Sequence, residues 1–214
     1  MYTKTIYLIR HGTTEWIEQS RTHGALDSPL STFGQWEAGQ AAEVLKDRGI
    51  TQIFSSPQGR AMQTAAIIAK KIPNTAVTPL DGLREMGFGF MEGKQDQFKK
   101  ISKKPLYLFL FAPIWFIFLG LTGENRAKLQ KRVLDAWQHI LSQNNPGNTA
   151  VVSHAIALNM ILHTLPCGSD VKKKKRYSLG TCSISKVEID EQGQPILTQI
   201  NSISHLMNQG NHGN

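Results

Sequence analysis

Two short apolar runs, each ending beside a histidine, constrain this chain more than any other feature. Tyr2 to Ile9 is rich in β-branched and aromatic residues and runs into Arg10-His11-Gly12. Thr149 to Ser153 is a second compact apolar run, and it ends at His154. Both have the composition of a buried strand that opens into a loop. Helical signals alternate with them, which predicts an α/β fold: a mostly parallel sheet with helices on both faces, a three-layer α/β/α sandwich.

Local signals place the other elements. Ser28-Pro29-Leu30-Ser31 is a turn, and Ser31 or Thr32 caps a helix that runs to about Lys46 and stops at Gly49. Thr51 to Phe54 is a short strand. Ser56-Pro57 then predicts a helix start, with serine as the cap and proline in the first turn, in a helix carrying Arg60, Thr64 and Ile67. Thr75 to Thr78 is a further strand. The longest amphipathic helix spans about 122–144, with Leu129, Val133, Trp137 and Ile140 at helical spacing. Ala155 to Leu165 is a helix stopped by Pro166. Ser183 to Ile189 and Ile196 to Ile200 pair around Gln192-Gly193-Gln194. With 214 residues and no internal repeat, one domain spanning 1–214 is expected, with a polar, flexible tail over 203–214.

The two cysteines, Cys167 and Cys182, exclude a disulfide-built scaffold and a cysteine-ligated zinc cluster, and predict reduced thiols in the cytoplasm. The apolar run before Arg10 is too short for a signal-peptide core, so no export is expected. A net charge of +8 favours anionic partners without choosing among them. The run Lys172 to Arg176 has no interleaved aromatics and no nucleic-acid module beside it; it reads as a solvated loop, and no nucleic-acid partner is expected.

In open α/β sheets, ligands bind beyond the carboxyl ends of the strands. His11 and His154 stand at two such ends. Arg10 precedes the first histidine, Arg60 follows the Ser-Ser-Pro segment, and Glu85 follows the next apolar stretch in Leu83-Arg84-Glu85. Two histidines, two arginines and one carboxylate suit phosphoryl transfer. A neutral imidazole attacks phosphorus, guanidinium forks bind the equatorial oxygens, and a carboxyl group protonates the leaving alkoxide. The arginines supply the positive charge, so neither metal nor cofactor is expected. Taken singly, each residue has a blander explanation: a hydrogen-bonded structural histidine, a solvated arginine, an ordinary loop carboxylate.

Five blocks give these positions joint weight. Leu8-Ile-Arg-His-Gly-Thr-Thr-Glu-Trp16, Leu26-Asp-Ser-Pro-Leu-Ser-Thr-Phe-Gly34, Ser55-Ser-Pro-Gln-Gly-Arg-Ala-Met-Gln-Thr-Ala65, Leu83-Arg-Glu-Met-Gly-Phe-Gly-Phe-Met-Glu-Gly93 and Val151-Val-Ser-His154, with Gly123-Glu-Asn before the last, occur in the order of the histidine phosphatase superfamily, which the chain resembles. The resemblance implies the phosphoglycerate-mutase-like fold and a role for each matching residue. His11 would be the phosphoacceptor and Glu85 the proton donor. Arg10, Arg60 and His154 would form the phosphate pocket. Thr14 would lie at its rim, and His23-Gly24 would stand where the family has Gln-Gly or Thr-Gly. The chain also departs from the pattern. Thr13 replaces the usual Glu, Ile17 replaces a phosphate-binding Asn, Ala155-Ile156 replaces Gly-Gly, and Met91 replaces a Trp.

The resemblance implies a phosphomonoesterase acting on a phosphorylated small metabolite or a lipid-like phosphate. Two alternatives stand beside it: phosphoglycerate-mutase-type transfer, and a non-catalytic, membrane-recruited binding protein on the same fold. Between about 94 and 122 the sequence departs from an ordinary domain. Lysines at 94, 99, 100, 103 and 104 precede seventeen uncharged residues, Pro105 to Leu121. Pro113 and the short length argue against a membrane span. A cap insertion remains expected, forming ordinary core, a membrane-dipping lid or a homo-oligomer contact; the lid would place the protein at the periphery of a membrane.

Overall fold

The computed structural model describes residues 2–95 and 123–207. The apolar runs become strands. β1 (Tyr2–Arg10), β2 (Ile50–Ser55), β3 (Val77–Pro79), β4 (Asn148–Ser153), β5 (Ile184–Asp190) and β6 (Pro195–Ser202) form one sheet in the order β3-β2-β4-β1-β5-β6. The pairings β3–β2, β2–β4 and β4–β1 are parallel, whereas β1–β5 and β5–β6 are antiparallel. The expected α/β class holds, with the late hairpin adding an antiparallel edge.

Side chains alternate across the sheet, as strand geometry requires. Ile6, Leu8, Phe54 and Val151 face a core closed by α4 (Arg126–Ser142) and α5 (Ala155–Thr164). Tyr7, Ile9, Ile53, Ala150 and Val152 face the opposite core, closed by α2 (Thr32–Leu45) and α3 (Gly59–Ala69). These are the two outer layers of the sandwich. α2 buries Ala38, Ala41, Ala42 and Leu45, a stripe of mostly small residues at helical spacing that lets it approach the sheet closely. A short helix, α1 (Glu15–Glu18), follows the first histidine.

Element boundaries are close to those expected, with one instructive exception. Ser31 caps α2, its hydroxyl accepting the Gly34 N–H at 3.2 Å. Ser56 does not start a helix. α3 begins at Gly59 with Gln58 in the cap position, and the Ser56 hydroxyl accepts the Gln58 N–H at 3.3 Å while lying 2.8 Å from His154 Nε2. At the other end of the chain, 203–207 is held by a 3-10 turn, Ser204–Leu206, and His205 Nε2 lies 3.1 Å from the Cys182 carbonyl. The apolar stretch 105–121 and residues 208–214 lie outside the described residues. Gln95, the last described residue before that stretch, bridges to Arg21, and Glu124, just after it, donates its N–H to the Gly87 carbonyl at 2.8 Å. The described residues near either side of 96–122 are thus tied to the loops at Arg21 and Gly87. Among the described residues no helix is long and apolar enough to cross a membrane.

Candidate active site

β1 and β4 are neighbours, and Arg10 pairs in register with Ser153. The next residue along each strand is a histidine, so the sheet itself brings His11 and His154 together. Their ring centroids are 5.1 Å apart, and both are almost fully buried. His11 Nδ1 lies 2.8 Å from the Gly12 carbonyl, which accepts only if Nδ1 carries the proton. That tautomer leaves Nε2 with its lone pair free. Burial, reinforced by the Arg10 and Arg60 charges, pushes the His11 pKa well below its ordinary value. The imidazole is therefore neutral near pH 7, as a nitrogen nucleophile must be.

The loop holding His11 fits without slack. Gly12 donates its N–H to Thr64 Oγ1 at 3.0 Å, and a Cβ there would meet the Gly34 carbonyl oxygen at 2.6 Å. A Cβ on Gly34 would lie 1.8 Å from the Thr13 oxygen, so the loop and the first turn of α2 touch backbone to backbone. Thr13, the departure from the family's Glu, enters a closed ring. Its N–H donates to Glu37 Oε2 at 2.7 Å, its hydroxyl lies 3.0 Å from the Thr181 hydroxyl, and Thr181 donates to Glu37 Oε1 at 2.6 Å. Glu37, which sequence reasoning passed over, is 2% exposed.

Arg60 is 1% exposed and is held from one side. Nη1 donates to the Leu26 carbonyl (3.0 Å) and to Asp27 Oδ1 (2.8 Å), and Nη2 donates to the Gly24 carbonyl (3.1 Å). Of its five N–H groups this leaves Nε–H and one Nη2–H. Arg10 is similar: Nη1 donates to the Leu179 carbonyl at 2.7 Å, and Nε has no partner. Four buried side-chain polar atoms lack a partner among the described residues, and three of them are Arg10 Nε, Arg60 Nε and His154 Nδ1. Buried polar groups are rarely left so, and their concentration around one histidine is what an oxyanion pocket requires.

His154 gains its orientation from Ser56. The Ser56 hydroxyl accepts the Gln58 N–H at 3.3 Å and lies 2.8 Å from His154 Nε2. With Ser56 donating to Nε2, the neutral ring carries its proton on the unpaired Nδ1. Burial, aided by the neighbouring His11 and the two arginines, holds the His154 pKa well below its usual value.

The remaining sequence candidates separate into different roles. Thr14 is buried; its hydroxyl caps α1 by accepting the Ile17 N–H at 3.2 Å and lies 2.9 Å from His23 Nε2. His23 stands 6.3 Å from His11 by ring centroids, packs against Trp16 and is lowered to about 4, first by burial and then by Arg60. Gly24 contributes its carbonyl, which accepts from both Arg60 and Gln58, so it acts on the arginine. It sits at φ +65°, and a Cβ there would lie 2.3 Å from Glu92 Oε1, so any other side chain would be strained and would displace the Glu92 carboxylate. Ile17, in place of the polar residue, is half-buried in α1.

Glu85 meets the start of α5. Its carboxyl accepts the Met86 N–H (3.0 Å) and, more loosely, the Ile156 and Ala157 N–H groups (both 3.3 Å). Helix N-terminal N–H groups are natural partners of a carboxylate. They are backbone groups, so Ala155-Ile156 serves where the family has glycines. Sequence reasoning missed Gln58. Its Oε1 accepts the Glu85 N–H at 2.8 Å while its Nε2 donates to the Gly24 and Ala25 carbonyls at 2.8 and 3.2 Å. One amide thereby ties the carboxylate loop to the loop that holds Arg60. Glu92 was also missed; it accepts the Ala25, Leu26 and Phe88 N–H groups. No group of three or more His, Cys, Asp or Glu among the described residues could hold a metal ion.

Residues 6–202 match the description "Histidine phosphatase superfamily (branch 1)". The chain belongs to this family. A relative from Proteus mirabilis, "Probable phosphoglycerate mutase GpmB", is 34% identical over 209 residues, covering 94% of each chain. Among solved structures, Bacillus stearothermophilus YhfR aligns with a TM-score of 0.76 at 26% identity, over 95% of this chain and 99% of that one. A phosphoserine phosphatase mutant from Entamoeba histolytica, in complex with phosphoserine, aligns with a TM-score of 0.70 at 25% identity, over 95% of this chain and all of that one. The superfamily is catalytic, of phosphatase or mutase type. In this member of it His11 and His154 stand at the carboxyl ends of the neighbouring strands β1 and β4.

Proposed function

We propose that the protein is a phosphomonoesterase that hydrolyses phosphate esters through a phosphohistidine on His11. The observation that carries this is the set of unpaired buried donors, Arg10 Nε, Arg60 Nε and His154 Nδ1, around a neutral, Nδ1-protonated His11. His11 Nε2 attacks phosphorus and the P–O ester bond breaks. The leaving alkoxide takes a proton from the Glu85 carboxyl group. Water then attacks phosphorus, Glu85 takes up a proton from it, the P–N bond breaks, and His11 returns to its neutral form with inorganic phosphate released. The arginine edges bind the oxygens whose charge grows in the transition state. Activity therefore needs no added metal. A cytoplasmic location fits the two free thiols, Cys167 and Cys182.

The test is rapid quenching with a radiolabelled phosphate monoester. An acid-labile, base-stable phosphoryl group should appear on His11, and His11→Ala should neither trap label nor turn over. Turnover in that variant at more than a trace of the parent rate would defeat the assignment. The name of the Proteus mirabilis relative favours a second reading, transfer of the phosphoryl group to another hydroxyl. With a phosphoglycerate as substrate, isomer formation exceeding phosphate release would establish it.

A further inference from the structure

Glu85 sits on a loop, and its backbone is fixed from α4. Arg132, on the second turn of that helix, points all five of its N–H groups at acceptors. Nη1 donates to the Gly82 carbonyl (2.9 Å) and the Arg84 carbonyl (2.7 Å), and Nη2 donates to the Glu85 carbonyl (2.9 Å). Nε and Nη2 donate to the two carboxylate oxygens of Glu124, at 2.7 and 2.6 Å. Three of the four carbonyls from Gly82 to Glu85 thus hang on one guanidinium.

Glu124 completes the bracket. It lies just after the residues outside the described set and reaches the loop on the far side of Glu85. Its N–H donates to the Gly87 carbonyl at 2.8 Å, and its Oε2 accepts the Gly87 N–H at 3.4 Å. The Arg132–Glu124 pair is mostly buried, 17% and 15% exposed. A guanidinium fork with every donor used has a single orientation, and only arginine supplies the five donors in a plane. Surface pairs on α4 such as Lys131–Asp135 lack this character, being 80% and 64% exposed.

We propose that Arg132, oriented by Glu124, is a positioning residue for the proton donor: it sets the height of Glu85 above the phosphoester oxygen from outside the pocket. The inference rests on Glu85 as the acid in the reaction above. Arg132 itself touches neither substrate nor phosphorus. A displacement of about 1 Å at a proton donor weakens proton transfer in the transition state while leaving phosphate binding intact. Loss of Arg132 should therefore penalise esters whose leaving group needs the proton.

The experiment compares kcat/KM for an alkyl phosphate and for p-nitrophenyl phosphate in the parent, Glu85→Gln, Arg132→Lys, Arg132→Gln and Glu124→Gln. The ratio of the two substrates within one preparation cancels the fraction of folded enzyme, so a merely structural role leaves it unchanged. The Arg132 variants should lose the alkyl ester about 10-fold more than the aryl ester, out of the roughly 100-fold or more that a general acid contributes. Glu124→Gln should shift the ratio in the same direction. A split in Glu85→Gln with an unchanged ratio in both Arg132 variants overturns the inference alone. An unchanged ratio in Glu85→Gln removes the proton-donor role and the inference with it.

Discussion

Asp27 Oδ1 accepts from Arg60 Nη1 at 2.8 Å, and Asp27 Oδ2 faces the Arg60 backbone N–H at 3.3 Å. One carboxylate thus orients the guanidinium and the first turn of α3 that carries it. The arginine is buried and the aspartate is a third exposed. The pair therefore carries a desolvation cost that is met only while both partners are present. It also explains why Arg60 offers its Nε edge inward: the Nη1 side is committed to Leu26 and Asp27.

Replacing Asp27 should therefore act on phosphate affinity from outside the pocket. Asp27→Ala leaves a buried charge with one fewer partner, and a destabilisation of about 2 kcal/mol is expected by thermal or urea unfolding. Asp27→Asn keeps an acceptor for Nη1 and should lose less. Both should raise the inhibition constant of inorganic phosphate or vanadate, Ala more than Asn. An unchanged inhibition constant in Asp27→Ala would show that Arg60 holds its position without the carboxylate.

Much of this arrangement is legible in the sequence, and the part that is not has a common cause. β1 and β4 are legible because both are continuous apolar runs, and the register Arg10–Ser153 then makes the juxtaposition of His11 and His154 automatic. Arg60 and Glu85 are legible through their motifs. Gln58, Glu92, Glu37 and Arg132 are not, because each acts through backbone groups 24 to 67 residues away, at Glu85, Ala25, Thr13 and Gly82 respectively. Side chains that bond to distant backbone leave no local periodicity or spacing to detect. Ser56 has a distant partner too. Serine before proline is a sound cap signal, but here the hydroxyl accepts the Gln58 N–H ahead of the helix and also meets a buried histidine 98 residues away, which no local pattern announces.

The Ser56–His154 contact is itself testable. Ser56→Ala removes the group that holds His154 Nε2 at 2.8 Å. The ring then loses the bond that selects its tautomer, and Nδ1–H is no longer assured for the phosphate. A loss of about 1 kcal/mol of transition-state stabilisation is expected, roughly fivefold in kcat, with KM changed less. Equal kcat values in parent and variant, with folding verified by circular dichroism, would take Ser56 out of this role.

The histidines also set an acid limit on stability. His11 and His154 are held well below their ordinary pKa by burial and the arginines, and His23 is lowered to about 4. In the unfolded chain all three return to about 6.5. Between the folded and unfolded values the unfolded state binds more protons, so the slope of unfolding free energy against pH is positive. Stability is fully present above about pH 6.5 and falls on acidification toward pH 4 and below. Glu124 acts in the same direction at lower pH: burial pushes its carboxyl up, but the bonds and charge of Arg132 outweigh burial, and the net shift is downward. The melting temperature should thus drop steadily between about pH 7 and about pH 4.5. His23→Asn, which keeps an acceptor for the Thr14 and Ser28 hydroxyls, should flatten that slope in part, leaving the contribution of His11 and His154. A melting temperature constant over that range, or a slope identical in the two proteins, would contradict the neutral, cation-crowded histidine cluster on which the nucleophile depends.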